Sequence, residues 1–340
     1  MPGPLSPAEL EHVLRAHGLP WRDGQAAPAI TARVLHVPAL DGGFAIKVFG
    51  PEQRARARAE AALLRHLGTE PLTDVGVQQR VPPSSGELLL ALDERLVLVT
   101  RWQAGAHRSY QAIDADGWEG LGRAMAELHL RLDQAPWLPL PSLMADLRAR
   151  NLEADRRLID EHRRHVEASG RPDAELVAQL LGDRSVLLDR HAERSQATPP
   201  SADDRPIHND YNVHNFLFHA DGPPTILDWE RSIFAPREFE LCRCLGHLPL
   251  VAPSHAWALV EGYLQRRSLR PALVRWALDV AVSVHALKHW PVEQWLAREP
   301  GSEERIPALA EIVRALAEQA AELEAFGAEL EARTRVQEAP

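Results

Sequence analysis

Residues 208–215 read HNDYNVHN, and residues 226–230 read ILDWE. The first stretch places Asp210 five residues before Asn215, and the second carries Asp228 at the end of an apolar run. The intervening letters NFLF, HADG and PPTIL predict a short β-hairpin, because turn-forming residues separate two apolar runs. We therefore expect the arms of this hairpin to bring Asn215 and Asp228 together. Their side chains offer oxygen ligands of the kind that Mg²⁺ binds.

The same two stretches suit phosphoryl transfer. That reaction needs metal ions on the phosphates, a carboxylate near the acceptor hydroxyl and a cation on the nucleotide. The spacing fits the H-x-D-x-x-x-x-N catalytic loop of kinases, in which the aspartate serves the attacking hydroxyl and the asparagine binds Mg²⁺. We predict Asp210 as the catalytic group, with Asn215 and Asp228 as metal ligands. Taken alone, such a loop is also typical of an ordinary turn rich in His, Asn and Asp.

A lysine upstream supplies the cation. The chain has only two lysines, and Lys47 lies in the apolar strand pattern FAIKVFG. A buried strand face normally excludes a charge, so Lys47 needs a partner. Glu60 on the following helix is the best candidate, with Glu52 and Glu70 as alternatives, and the pair would hold the ammonium against the nucleotide phosphates. A strand-edge lysine that reaches solvent is the other interpretation.

The pattern of apolar residues predicts an α+β fold in two lobes. Residues 1–101 read as a small lobe with an antiparallel sheet and a helix, built on hairpins that turn at Asp41-Gly42-Gly43 and Asp93-Glu94. Residues 102–105 form the linker, and residues 106–340 form a larger, mainly helical lobe. The junction of two lobes is a natural place for a ligand cleft.

Composition excludes some classes of function. A formal net charge of −10 argues against a nucleic-acid partner, because phosphate backbones are bound by clustered cations. No basic leader and no apolar run long enough to span a bilayer is present, so we expect a cytoplasmic protein without a membrane partner. The only cysteines, Cys242 and Cys244, lie too close together to form a disulfide framework.

These motifs resemble those of the aminoglycoside phosphotransferase and choline kinase group, which includes bacterial homoserine kinases. Members read H-G-D-x-x-x-x-N followed by I-D-W or I-D-F, and the resemblance runs over about residues 45–245. It implies a protein-kinase-like fold with ATP, or GTP, in the cleft. It places the linker around Thr100 and Trp102 against the adenine and Mg²⁺ on Asn215 and Asp228. The acceptor it implies is a small molecule: an aminoglycoside or other antibiotic, an amino alcohol such as choline or homoserine, or a sugar.

Three positions depart from that group. Asn209 replaces the usual glycine of H-G-D, and Glu240 stands where an aspartate is more common. The loop expected to cover the phosphates, before Arg33, contains only Gly24 and no G-x-G. We therefore expect the phosphates to be held more loosely, or another nucleotide to be used.

Other functions have their own motifs. The missing glycine-rich loop would also suit a kinase-fold pseudoenzyme or scaffold without turnover. His208, Asp210, His214 and His219 have the residue types of a zinc site, which would indicate a metal-dependent hydrolase. Residues 242–247 read CRCLGH and also offer metal ligands, although buried cysteines in an apolar helix are usually core residues.

The C-terminal region predicts a long amphipathic helix with a heptad pattern. Its two seam positions are occupied by Ile306, Val313, Ala320 and Gly327, and by Leu309, Leu316, Leu323 and Leu330. This helix is expected to dock on the larger lobe of its own chain, with a homodimer as the alternative. One interpretation of Trp290 and Trp295 is that they line the acceptor pocket, although tryptophans in a helical region usually serve packing. Lys288 in the same stretch is a candidate for binding an anionic group of the substrate.

Overall fold

The computed structural model describes residues 5–20, 27–31, 33–40, 42–136, 138–196, 203–247 and 253–338. The chain divides into two compact units. The first unit comprises Met1–Pro141 and Pro206–Phe234, and the second comprises Ser142–Arg205 and Ala235–Pro340. Within the described ranges, no helix is both long and apolar enough to cross a membrane.

The first unit combines three helices with short strands. The helices are α1 (Pro7–Ala16), α2 (Arg54–Leu67) and α3 (Ala115–Leu132). The strands are β1 (Val34–Val37), β2 (Phe44–Phe49), β3 (Gly76–Val77), β4 (Leu90–Leu92), β5 (Arg95–Arg101), β6 (Arg205–Ile207), β7 (Phe216–Leu217), β8 (Thr225–Ile226) and β9 (Ile233–Ala235). They form a four-stranded sheet in the order β1-β2-β5-β4, a three-stranded sheet in the order β3-β8-β7, and the pair β6-β9.

Local sequence explains the first helix. Ser6 caps α1, and its hydroxyl and the Glu9 carboxylate form a reciprocal capping box. One face of the helix buries Leu10, Val13 and Leu14 in the same hydrophobic cluster as the four-stranded sheet. The helix therefore covers that sheet with the residues that its 3.6-residue period places on one side.

Both predicted hairpins are confirmed. β1 and β2 are antiparallel with Val34 opposite Lys47, and β4 and β5 are joined by a turn in which Asp93 has a φ of 53°. Gly43 is needed in the first turn, because its φ is +100° and a Cβ atom there would lie 2.4 Å from the Val37 carbonyl oxygen. Asp41 of this turn lies outside the described residues.

The observed division of the chain differs from the predicted boundary at residues 102–105. The hairpin of β7 and β8 joins the N-terminal part, because β8 pairs in parallel with β3. The turn at residues 229–231, which follows β8, also packs against α2. The segment that carries the predicted catalytic residues therefore belongs to the unit that carries Lys47.

The second unit is helical, as predicted for the later part of the chain. Its helices are α4 (Leu143–Ala149), α5 (Leu152–Ala168), α6 (Ala174–Gln196), α7 (Arg237–His247), α8 (Pro253–Leu264), α9 (Pro271–Ala286), α10 (Trp290–Leu296), α11 (Ser302–Glu318) and α12 (Ala320–Glu338). The central helix α9 packs against α6, α7 and α12.

The C-terminal region is two helices rather than the single one predicted. The backbone leaves the helical conformation at Gln319, where φ is −99° and ψ is 24°. The break separates two packing surfaces, because α11 packs on α6 and α12 packs on α9. Val313, Leu316 and Leu323 of the predicted seam are buried in this way. Docking on the same chain therefore accounts for the heptad leucines without a second copy.

We predict that Leu323→Ala lowers the free energy of unfolding by about 2–5 kcal/mol, because a fully buried leucine leaves a cavity when truncated. Urea denaturation measures this, with Leu130→Ala at a site that is 43% exposed as the control, where a change within about 0.5 kcal/mol is expected. Sedimentation should give Leu323→Ala the mass of the unmodified protein. A fall in mass would assign the seam to a dimer interface instead.

Candidate active site

Lys47 lies at the centre of a cluster of charged side chains in the first unit. Its Nζ atom is 3.0 Å from Glu60 Oε2, 2.6 Å from Asp228 Oδ1 and 3.0 Å from Glu230 Oε2. The predicted pairing of Lys47 with Glu60 is thus confirmed, whereas Glu70 pairs with an arginine on α3. The lysine side chain is only 12% exposed, so the interpretation as a solvent-reaching strand-edge lysine is wrong.

The three carboxylates keep Lys47 charged. Burial on its own lowers the pKa of an ammonium group, because the charged form loses its hydration. Here the attraction of Glu60, Asp228 and Glu230 outweighs burial and raises the pKa of Lys47 above its usual range. The lysine therefore presents a fixed positive charge at any pH near neutrality.

Arg33 and Glu230 belong to the same cluster, although the sequence did not single them out. The guanidinium group donates from Nη1 to Glu230 Oε2 and from Nη2 to Oε1, both at 2.9 Å. Burial would raise the pKa of Glu230, but its bonds with Arg33 and Lys47 lower that pKa to about 2. Glu230 had a weak signal, as it lies two residues after Asp228. Arg33 had no sequence signal, because arginine is the common cationic residue of this chain.

Glu60 differs from Glu230 in its protonation. Its side chain is fully buried, and desolvation is the largest effect on its pKa, which it raises, whereas the neighbouring Lys47 lowers it. The negative charges of Asp228 and Glu230 add to the increase, so that the pKa of Glu60 reaches about 7. Glu60 is therefore the member of the cluster that takes up a proton at mildly acidic pH.

The predicted catalytic loop is organised by its own amide side chains. The Asp210 carboxylate accepts hydrogen bonds from Asn212 Nδ2 and Asn215 Nδ2, both at 3.1 Å. Asn215 Nδ2 also donates to the Asp210 carbonyl oxygen at 2.8 Å. His208 closes the loop, because its Nε2 bonds the Leu227 carbonyl oxygen at 2.8 Å while its Nδ1 accepts from the Asp210 amide. The nitrogen of the Asn215 amide is thus used within the loop, and its oxygen is left for a ligand.

The β7–β8 hairpin places Asp228 next to this loop, as predicted. The Leu227 amide donates to the Asn215 carbonyl oxygen at 2.9 Å, and the Asp228 amide donates to Gln78 Oε1 at 3.0 Å. Asp228 has a φ of 62°, a left-handed conformation that is unusual outside glycine. Such strain is often found where a side chain must point in a particular direction for function.

The residues present fit a magnesium ion. Among the described residues, one group of three acidic, histidine or cysteine side chains lies within metal-binding range, and it consists of Glu60, Asp228 and Glu230. Their oxygens lie within 4.8 Å of one another, and oxygen ligands are those that Mg²⁺ prefers. The cluster holds three carboxylates against the two cations Arg33 and Lys47. This excess of negative charge favours a bound cation.

Among the described residues, the side chains proposed for the alternative metal sites do not form a metal-binding group. His208 bonds the Leu227 carbonyl, and His219 bonds Thr225 Oγ1 at 2.8 Å, so these rings serve the hairpin. Cys242 and Cys244 are buried, and burial raises the pKa of both thiols, as expected for core residues. The side chain at position 247 lies outside the described residues.

The remaining predicted residues lie around the end of β5 in the first unit and in the second unit. Thr100 is buried in β5 opposite Ala45, and the Trp102 ring stacks on His36 with 3.9 Å between ring centroids. In the second unit, Trp295 is buried and donates to an aspartate, which supports a packing role. Trp290 is 45% exposed.

Asn209 fits its position because of its backbone conformation. Its φ is 62°, in the left-handed region that glycine adopts most easily and asparagine tolerates. Its Nδ2 also donates to the Arg231 carbonyl oxygen at 3.0 Å. The replacement of glycine in the H-G-D pattern is therefore compatible with the same backbone.

We predict that Asn209→Gly changes the free energy of unfolding by less than about 1 kcal/mol, because glycine adopts this φ freely. Asn209→Val should cost about 1–3 kcal/mol, because a β-branched residue is strained there. Urea denaturation of both variants checks the difference. Equal stability of the two would contradict a left-handed residue 209.

A second prediction concerns pH. The pKa of Glu60 is about 7 in the folded protein and near 4.5 in the unfolded chain, so folding favours the protonated form. The resulting stabilisation is complete below about pH 4.5 and is lost as the pH rises through about 7. Glu60→Gln lacks this titration. The free energy of unfolding of Glu60→Gln minus that of the unmodified protein should therefore increase between about pH 5 and about pH 8, as measured with urea. A difference that stays constant over this range would show that Glu60 has no raised pKa.

Comparison with known proteins was made by sequence and by structure. A model of the phosphotransferase enzyme family (APH) matches residues 27–278, whereas no curated protein matches the chain by sequence. An aminoglycoside phosphotransferase from Alicyclobacillus acidocaldarius has 17% identity and a TM-score of 0.62, with 98% of each chain covered. A spectinomycin phosphotransferase in complex with ADP and spectinomycin has 15% identity and a TM-score of 0.63, with 93% of this chain and 99% of that chain covered. An aminopropanol kinase has 19% identity and a TM-score of 0.60, with 95% and 99% covered.

These similarities confirm the predicted protein-kinase-like fold, with an antiparallel sheet in the N-terminal region and a mostly helical remainder. The family match covers both the strand that carries Lys47 and the loop that carries Asp210. Because it also spans more than half of the residues, the chain belongs to the phosphotransferase enzyme family.

Proposed function

We propose that this chain transfers the γ-phosphate of ATP to a hydroxyl group of a small molecule. The observation that carries the proposal is the grouping of Lys47, Asp210, Asn215 and Asp228 in one compact unit. A phosphotransferase needs a cation for the nucleotide, ligands for a metal ion and a carboxylate for the acceptor. The first unit provides all of them.

The chemical step assigns one role to each group. The acceptor oxygen attacks the γ-phosphorus, the bond from that phosphorus to the β–γ bridging oxygen breaks, and ADP leaves with the bonding electrons. Asp210 accepts the proton of the hydroxyl, and its two asparagine donors hold the carboxylate in place. Lys47 contacts the nucleotide phosphates, while Glu60 orients the ammonium group.

Mg²⁺, when bound, supplies positive charge to the phosphates, and Asn215 and Asp228 are the residues that would hold it. The Asn215 side chain uses its Nδ2 atom within the loop, which leaves its oxygen for the metal ion, and the left-handed backbone at Asp228 fixes the direction of its carboxylate. Glu60 and Glu230 are bonded to Lys47 and Arg33 and are only 1% and 7% exposed, whereas Asp228 is 42% exposed. We therefore assign Glu60 and Glu230 to the orientation of the two cations and Asp228 to the metal ion.

The acceptor is proposed by class. The spectinomycin phosphotransferase is in complex with ADP and spectinomycin, and the aminopropanol kinase is named for an amino alcohol. The amino alcohol, with the net charge of −10, favours an acceptor that carries an amino group. We further propose that the segment around Thr100 and Trp102 lies against the adenine of ATP, with GTP as the alternative nucleotide.

We predict that Asp210→Asn lowers kcat by about 10²–10⁴-fold, because the proton acceptor is lost while the shape is kept. The acceptor is first identified by nucleotide consumption over aminoglycosides, amino alcohols and sugars, with ATP and GTP in parallel. Binding of ATP with Mg²⁺, measured by thermal shift, should be unchanged in the variant. Asp116→Asn, an exposed aspartate of α3, is the control and should keep full activity.

Two results would count against this function. Full turnover by Asp210→Asn would remove the catalytic assignment. If millimolar ATP and GTP, with Mg²⁺, caused no thermal shift in the unmodified protein, a kinase-fold scaffold would be the better description.

A further inference from the structure

A hairpin tip ahead of β1 carries a cation into the charged cluster. Residues 28–30 run antiparallel to β1, because the His36 amide donates to the Pro28 carbonyl at 3.0 Å and the Ile30 amide donates to the Val34 carbonyl at 2.8 Å. The tip therefore lies between Ile30 and Val34, and it includes Arg33. This hairpin stands directly before the strand pair that carries Lys47.

The described amides at this tip are engaged within the chain rather than free for a phosphate. Glycine-rich loops bind phosphates through backbone N–H groups that point at the ligand. Here the amides of Arg33 and Val34 both donate to the Thr31 hydroxyl at 3.2 Å. Gly24, the glycine noted in the sequence ahead of Arg33, lies outside the described residues. A phosphate at this tip would need a donor other than those two amides.

The Arg33 side chain is such a donor. Its Nη1 atom and Lys47 Nζ bind the same oxygen, Glu230 Oε2, at 2.9 Å and 3.0 Å. The Arg33 Nη1 and Lys47 Nζ atoms are therefore separated by no more than the sum of these two distances. Guanidinium has five N–H groups in a planar fork, and the bonds to Glu230 use two of them. The side chain is 24% exposed, so the others can be reached from solvent.

Glu230 and the backbone hold this cation in place. The Val48 amide donates to the Arg33 carbonyl oxygen at 2.9 Å. This bond fixes Arg33 beside Val48, the residue that follows Lys47. The hydrogen bonds that Arg33 donates to Glu230 raise the pKa of Arg33, so the guanidinium remains charged. A preorganised guanidinium loses little entropy when it binds an anion.

We propose that Arg33 binds the terminal phosphates of the nucleotide, in place of the backbone amides of a glycine-rich loop, and that Glu230 is its positioning residue. This inference rests on the proposed function. It makes Arg33 a determinant of affinity for nucleoside di- and triphosphates over monophosphates.

Isothermal titration with ATP, ADP and AMP, in the presence of Mg²⁺, tests the assignment in the full-length protein. Arg33→Gln should lower the affinity for ATP and ADP by about tenfold or more, because a charge-assisted hydrogen bond is lost. Affinity for AMP should change by less than about twofold. Arg56→Gln, an exposed arginine of α2, removes the same charge and should leave all three affinities unchanged.

The possible outcomes separate this inference from the proposed function. Unchanged ATP affinity in Arg33→Gln would overturn the role of Arg33 while leaving the function intact. An equal loss for ATP, ADP and AMP would also overturn it, because Arg33 would then act only by keeping the site folded. Absence of nucleotide binding by the unmodified protein would overturn both.

Arg33→Lys covers the case in which Arg33→Gln does not fold. Lysine keeps a positive charge beside Glu230 but cannot bind a carboxylate and a phosphate with one planar fork. Arg33→Lys should therefore lower the ratio of ATP affinity to AMP affinity, but by a smaller factor than Arg33→Gln does. An unchanged ratio of ATP to AMP affinity in Arg33→Lys would contradict the proposal.

Discussion

A buried ammonium group must be neutralised by nearby carboxylates, and much of the first unit is arranged around this requirement at Lys47. Removing a charge from water costs several kcal/mol unless partners replace the lost hydration. The partners come from different parts of the chain, because Glu60 lies on α2 whereas Asp228 and Glu230 follow β8. One interaction thus joins the sheet, the helix and the catalytic segment. It also explains why residues 206–234 group with the N-terminal strands.

The cluster is arranged for binding rather than for stability. Buried ion pairs are often no more stable than apolar residues of the same size. Here three carboxylates share two cations, and burial together with the surplus negative charge raises the pKa of Glu60. Asp228 also holds a strained left-handed backbone. A bound metal ion with nucleotide phosphates would satisfy both signs of charge, which gives a reason for these unfavourable features.

Sequence patterns predicted the parts of the structure that depend on local chemistry. The hairpin between Asn215 and Asp228 followed from turn residues, and the partner of Lys47 followed from a rare residue type in an apolar strand. Arg33 was missed because arginine is common here and its partner Glu230 lies 197 residues away. The break at Gln319 was also missed, since it depends on which helices α11 and α12 contact. No local signal encodes such tertiary choices.

Within the charged cluster, the pair of Lys47 with Glu60 and the pair of Arg33 with Glu230 respond differently to pH. Burial and neighbouring carboxylates move the pKa of Glu60 to about 7, whereas Arg33 and Lys47 hold that of Glu230 near 2. Lowering the pH below neutrality therefore protonates Glu60 and weakens its hold on Lys47, while the pairing of Arg33 with Glu230 persists. A nucleotide would restore the ionised form of Glu60 if its metal ion bound nearby, because a cation stabilises a carboxylate. In this way the charge on Glu60 would be coupled to occupancy of the site.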